Sequence, residues 1–207
     1  MKVYPNILQN FKDQDWLSHR AILASRNDVV EKLHVTIQKQ LPGKEYAYKS
    51  IDCILNDDEA VQYTIEFLNS IQTPDLQAHN LILKVGAPIM LIRNIDAPRL
   101  CNGTRLIVKK LMQHVIQAIV LTGCAKGEDV FIPRIPIVPS DNTMQFKRIQ
   151  YPLKLCFAMT INESQGQTFG TAGIDLQTPC FSHGQLCVAC SRVSKEEKSF
   201  CTHSKWN

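Results

Sequence analysis

No G-x-x-x-x-G-K-[ST] stretch occurs anywhere in the 207 residues, so the chain encodes no phosphate-cradling loop of the kind found in P-loop nucleotide hydrolases. It also lacks an apolar run long enough to span a bilayer. The amino-terminal MKVYPNILQNFKDQDW is broken by Pro5 and by charged residues where a signal peptide has a continuous apolar centre. These absences predict an intracellular protein, neither secreted nor membrane-bound, and nuclear if its source is eukaryotic. Eight cysteines, at 53, 101, 124, 156, 180, 187, 190 and 201, then read as reduced thiols rather than a disulfide framework. Cys187 and Cys190 have metal-ligand spacing and stand near Cys180, His183, Cys201 and His203. Zinc pairs usually sit in turns, however, and this pair lies inside HGQLCVACSRV, which reads as a helix, so no metal site is assigned.

The composition, 44% hydrophobic and 20% charged, suits a globular chain with a real core. Its net charge of +4 is unevenly spread: residues 80–154 hold 11 Lys/Arg against 4 Asp/Glu, and the remainder holds 12 against 15. A basic middle is either a solvated surface or a module that faces phosphates.

The pattern along the chain changes at the same place. RAILAS (20–25) reads as a strand, and Val29, Val30, Leu33, Ile37 and Leu41 follow at helical spacing, with Asp28 and Glu31 as a capping-box-like start and Pro42-Gly43 as a stop. A second helix is predicted from Glu59 to Ser70. Asp57-Asp58-Glu59 imitates a magnesium-binding acidic pair, but its place at the head of that helix makes it a cap favoured by the helix dipole. From residue 80 come short extended runs, LILKV, PIMLIRNI, TRLIVKKLM, VIQAIVLT and DVFIPRIPIV, separated by glycine-containing turns. Pro133, Pro136 and Pro139 make the last of these an edge or an exit. After Tyr151 the α/β pattern resumes: LCFAMTINESQGQ is predicted helical, TAGIDL a strand and SHGQLCVACSRV a helix. The expected organisation is an α/β domain (1–79 and 141–194) carrying an inserted antiparallel β-module (80–140), with a frayed tail (195–207).

Two stretches carry candidate chemistry. Ser164, Gln165, Gly166, Gln167 and Thr168 form a dense polar cluster, whose hydroxyl, amide and backbone N–H groups are the neutral donors that contact phosphate oxygens. Gln185, Ala189 and Arg192 fall on one helical face, where the arginine is either a salt-bridging surface group or a phosphate ligand.

RAILASRNDVVEKLH, LKVGAPIMLIRNIDAPRLCNGTRL, KGEDVFIPRIPIVPSD, FAMTINESQGQTF and FSHGQLCVACSRV together resemble the C-terminal half of Pif-family DNA helicases, especially those of Helitron transposons. The resemblance implies a second RecA-like lobe with a parallel-sheet core and an inserted small β-barrel. It implies a superfamily-1 motor in which ATP sits between two lobes and drives 5′-to-3′ stepping on single-stranded or forked DNA, in replication, recombination, repair, telomere maintenance or transposition. By matching position Arg192 is the arginine finger. Thr160, Ser164, Gln165, Gly166 and Gln185 couple the ATP site to DNA, and Arg26 and Asn27 face DNA or the other lobe.

In that family the phosphate-binding loop and magnesium carboxylates belong to a first lobe, which this sequence does not contain. ATP and magnesium are therefore expected in the complete enzyme, in cis or in trans with that lobe, with no tight cofactor binding and negligible ATPase activity in this chain alone. Two departures stand out: Glu163 replaces the usual lysine, which weakens polyanion binding, and the tail SKEEKSFCTHSKWN lacks the apolar strand expected after Ser191-Arg192. Besides the helicase reading, a non-catalytic single-stranded-DNA-binding or interaction module left from a transposon gene and, third, a cysteine-based metal or redox protein remain open.

Overall fold

The computed structural model describes residues 2–55, 63–71, 76–139, 146–177, 184–193 and, as backbone alone, 199–202. Five helices, α1 (Ile7–Asn10), α2 (Gln14–Ser18), α3 (Asn27–Gln40), α4 (Ile65–Ser70) and α5 (Gln185–Ser191), accompany strands that form four sheets among these residues.

A parallel sheet is built from β1 (Arg20–Ala24), β12 (Ala158–Thr160), β13 (Thr171–Asp175) and β14 (Ser199–Thr202), in the order β12-β1-β13-β14. β1 and β13 are buried almost throughout, as the unalternating RAILA and TAGID runs require of strands covered on both faces. Helix α3 lays Val30, Leu33 and Ile37 on this layer, beside Ile22, Phe157 and Ala158. The helix starts at Asn27 after an extended Arg26 that makes no side-chain cap. The expected cap at Asp28 is thus displaced into the first turn, where its carboxylate pairs with Arg26.

The antiparallel part is a five-stranded sheet of β11 (Leu153–Leu155), β5 (Pro88–Leu91), β6 (Arg105–Leu111), β7 (Val115–Val120) and β8 (Asp129–Pro133), in that order. Its edge strands β11 and β8 do not pair with each other, so among the described residues the sheet is open and the expected closed barrel is not formed. The proline-rich run divides as its chemistry demands: β8 is an edge, and after Arg134 the chain leaves for β9 (Ile135–Ile137). β9 joins β3 (Ile51–Ile54) and β10 (Phe146–Gln150) in a three-stranded sheet, and β2 (Tyr46–Lys49) pairs with β4 (Asn80–Leu83).

Strands β5 and β6 fasten the layers together. Ile89, Leu91, Leu106 and Val108 point into the antiparallel core, whereas Met90 and Ile107 point into the cores that flank the parallel sheet. Arg105, 1% exposed, joins the same contact. Its guanidinium donates to the carbonyls of Ser18 (2.8 Å), Leu17 (3.2 Å) and Arg20 (2.8 Å), and lies 5.2 Å from the Phe169 ring centroid.

Two sequence expectations are corrected here. LCFAMT is not helical but forms β11 and β12, followed by a tight turn at 161–166. The tail does supply an edge strand: Ser199–Thr202 pairs in parallel with Ala172–Asp175, so backbone ladder bonds replace the missing apolar pattern. Of the second predicted helix, Ile65–Ser70 is present, and residues 56–62, with the Asp57-Asp58-Glu59 cap, lie outside the described residues.

The basic middle is also partly interior. Arg148 and Asp52 face each other across β10 and β3, both side chains fully buried, with Nη2 to Oδ2 at 2.6 Å and Nε to Oδ1 at 2.9 Å. The remaining guanidinium hydrogens go to the carbonyls of Leu68, Ile71 and Gln77, which closes the C-terminus of α4, and Ser50 Oγ donates to Asp52 at 2.7 Å. Removing one partner strands the other charge in the interior. Asp52→Ala should therefore cost about 3–5 kcal/mol in denaturant unfolding, and an Asp52→Leu/Arg148→Met double variant markedly less than the two single variants summed.

Candidate functional site

Parallel pairing sets β1 beside β12 with Ala24 opposite Thr160, so the residues leaving these two strands converge at their carboxyl ends. Ser25, Arg26, Asn27 and Asp28 from the β1–α3 junction meet Thr160, Asn162 and Glu163 around a groove of about 500 Å³. The structure thus unites two sequence candidates, Arg26 and Asn27, with Thr160. Arg26 is held by Asp28, its Nε donating at 2.8 Å, with more than half of its side chain exposed.

The turn after β12 is locked by a reciprocal pair. Thr160 Oγ1 accepts from the Glu163 N–H at 3.3 Å, and the Thr160 N–H donates to Glu163 Oε2 at 3.2 Å. This is a capping box, legible in the spacing of Thr160 and Glu163, which reading the whole stretch as one helix concealed. The other Glu163 oxygen accepts from Lys154 Nζ at 2.6 Å. Glu163 therefore neutralises the nearby cation and occupies the Thr160 N–H as well.

The remaining members of the polar cluster have different fates. Ser164 is fully buried and donates to the Ile161 carbonyl at 2.7 Å, so it shapes the turn rather than facing a ligand. Gln165 and Gly166 are exposed, with Gly166 in a left-handed conformation (φ 78°) that a side chain would strain. The chain then runs back to the opposite end of the sheet. There the Phe169 N–H donates to the Arg192 carbonyl at 2.8 Å.

Arg192 caps α5, its guanidinium half-buried. Nη2 donates to Ser191 Oγ at 2.8 Å and Nε to the Val188 carbonyl at 3.2 Å, while Nη1 approaches the Gln167 carbonyl at 3.5 Å. Gln185 is buried in the first turn of the same helix. Thr160 and Arg192 thus stand at opposite ends of five-residue strands, roughly 15 Å apart by strand rise, joined by the segment 161–169. The sequence candidates form two clusters rather than one.

Cys187 and Cys190 are exposed on α5, and the side chains of Cys180, His183, Cys201 and His203 lie outside the described residues. No helix among the described residues is long and apolar enough to cross a membrane.

With this geometry in place, the comparisons with known proteins show similarity to one class, the Pif1-type DNA helicases. The 2B domain of DNA helicase Pif1 matches residues 66–111, which covers α4 to β6. ATP-dependent DNA helicase PIF1 of Xenopus laevis is 31% identical over 176 residues, 84% of this chain and 26% of its own. The human PIF1 is 30% identical over 83% of this chain and 25% of its own. Among solved structures, Bacteroides Pif1 bound to single-stranded DNA superposes with a TM-score of 0.68 at 22% identity, covering 99% of this chain and 49% of that one. Pif1 helicase from Candida albicans gives 0.68 at 23%, covering 99% and 54%. The chain belongs to the Pif1 family of DNA helicases, and it spans about a quarter of the length of the curated relatives it matches.

One titratable group reports on how the groove is supported. His34 of α3 is 2% exposed, and its Nε2 bonds the Ala158 carbonyl at 2.8 Å. Burial, opposed by that bond and assisted by Lys154, lowers its pKa from 6.5 to about 4. The unfolded chain therefore takes up a proton between pH 6.5 and 4 that the folded chain refuses, so stability falls as pH drops through this window, by up to ~3 kcal/mol. Thermal unfolding against pH should show this slope, and His34→Gln should flatten it.

Proposed function

We propose that this chain is the second RecA-like lobe, with its inserted β-module, of an ATP-dependent 5′-to-3′ DNA helicase that acts on single-stranded or forked DNA. The observation that carries the reading is the segment 160–169, which physically connects the Arg26–Asn27–Thr160 groove to Arg192. A shift at one end of this short, internally bonded segment is transmitted to the other, as a motor coupling ATP hydrolysis to strand movement requires. Arg192 offers a half-buried guanidinium to developing phosphoryl charge. Arg26, Asn27, Gln165 and the exposed backbone at Gly166 offer donors to a DNA backbone, and Gln185, buried in the first turn of α5, is assigned to the same coupling. ATP and magnesium are assigned to the complete enzyme. The candidate residues fit a phosphate: Arg26, Arg192, Asn27 and Gln165 offer guanidinium and amide donors, and the groove's two carboxylates, Asp28 and Glu163, are each paired with a cation. The phosphate-binding loop and magnesium carboxylates belong to a first lobe supplied in cis or in trans. In this reading the protein acts inside the cell, on DNA, and the five motifs support a Helitron-type origin.

The second reading is a non-catalytic single-stranded-DNA-binding module. The Glu163–Lys154 pair favours its non-catalytic character: it silences a cation at the coupling segment, so in this reading the strand is held elsewhere on the chain.

Both readings are tested on the purified chain by binding of a labelled oligodeoxynucleotide across a salt titration, together with ATPase measurement. The expected result is salt-sensitive binding that Glu163→Lys tightens and steepens, with negligible ATPase. Unchanged affinity of Glu163→Lys at every salt concentration refutes the role given to Glu163. Magnesium-dependent turnover that Arg192→Ala abolishes refutes the need for a separate lobe.

A further inference from the structure

A second groove, of about 520 Å³, lies away from the first, where the β2–β4 pair meets the β6–β7 turn and Arg134 between β8 and β9. Tyr46 and Tyr48, on one face of β2, form one wall with the Lys49 backbone, Met112 and Gln113 form another, and Arg134 closes the end. No lining residue is acidic and two are cationic.

Each group is placed for contact before a ligand arrives. Tyr46 is 43% exposed, an aromatic face left in water on a strand whose next tyrosine is buried. Tyr48 forms the floor: its hydroxyl donates to the Met112 carbonyl at 3.0 Å, and its ring stands edge-on to Tyr151 at 5.1 Å. Arg134 is fixed from two sides, with Nη1 donating to the Lys49 carbonyl at 2.7 Å and its guanidinium 5.0 Å from the Tyr151 ring centroid. A cation positioned in this way loses little freedom on binding. Lys49, exposed on the opposite face of β2, adds a mobile second charge at the rim.

A positive groove with an exposed aromatic face and no carboxylate matches a polyanion that carries flat, stackable groups. We propose that this groove binds single-stranded nucleic acid, with a base stacked on Tyr46 and flanking phosphates on Lys49 and Arg134. Stacking on an aromatic platform together with backbone neutralisation is the combination by which single strands are held without regard to sequence. The inference deepens the DNA-binding reading by naming a contact outside the groove of Arg26 and Thr160.

The test uses the full chain with fluorescently labelled oligo-dT, oligo-U and an abasic oligomer of equal length, measured by anisotropy at several salt concentrations. Tyr46 and Lys49 are exposed, so Tyr46→Ala and Lys49→Glu should fold normally, as circular dichroism checks. Tyr46→Ala is expected to weaken oligo-dT binding roughly tenfold and to erase the preference for oligo-dT over the abasic strand. Lys49→Glu is expected to weaken binding to all three oligomers and to lower the slope of log K against log salt by about 0.7 or more. A difference between oligo-dT and oligo-U in wild type, abolished by Tyr46→Ala, identifies which strand the platform serves. If wild type binds but both variants bind equally well, and Arg26→Glu alone reduces affinity, the DNA-binding reading stands and this groove is refuted. If wild type binds none of the oligomers, both fall.

Discussion

One guanidinium holds the two halves of this molecule at a fixed corner. Arg105 leaves β6 in the antiparallel sheet and spends its hydrogen bonds on three carbonyls where α2 turns into β1, an inner strand of the parallel sheet. The Leu17 and Ser18 carbonyls carry the partial negative charge of a short helix's C-terminus, the Arg20 carbonyl opens β1, and among the described residues no carboxylate completes the pairing. Phe169, whose ring the guanidinium approaches, begins the return to β13 and bonds the Arg192 carbonyl. The antiparallel sheet, the start of the parallel sheet and the end of the polar segment therefore share one buried contact. Because Ile107 and Met90 enter the two cores that flank the parallel sheet, the inserted sheet is fastened by packing as well as by charge.

Much of this architecture could be read from residue patterns, and the failures have identifiable causes. β1 and α3 were legible because an apolar run followed by apolar residues three and four apart has one economical interpretation. LCFAMT was misread because a short apolar run does not distinguish a doubly buried strand from a helix, and here the neighbouring β5 and β1 decide. β14 was invisible because SFCT has no apolar pattern and is held through its backbone by β13. The open edges of the five-stranded sheet depend on long-range pairing, which strand-like patterns do not report.

The charge pattern was legible in number but not in meaning. Counting treats every lysine and arginine as surface, yet Lys84, Arg105 and Arg148 are interior groups that hold backbone carbonyls. Arg99, Lys109 and Lys126 pair with carboxylates on the surface. What distinguishes the groove at Tyr46 is therefore not the local density of positive residues but the absence of acidic ones from its lining. The candidate site was legible in composition, since Arg26, Asn27 and Thr160 do meet. Its division into two ends of one segment followed only from the parallel register of β1, β12 and β13.

The reciprocal bonding of Glu163 has a consequence for affinity. Its carboxylate is an anion attached to the same chain as Lys154 and the Thr160 N–H, so it faces them at an effective concentration on the order of millimolar or higher, whatever the concentration of protein. A phosphate approaching these donors competes with a tethered occupant rather than with water. Dilution cannot remove that competitor; only rearrangement of the 161–166 turn can, which makes access to these donors depend on the conformation of the segment rather than on ligand supply alone.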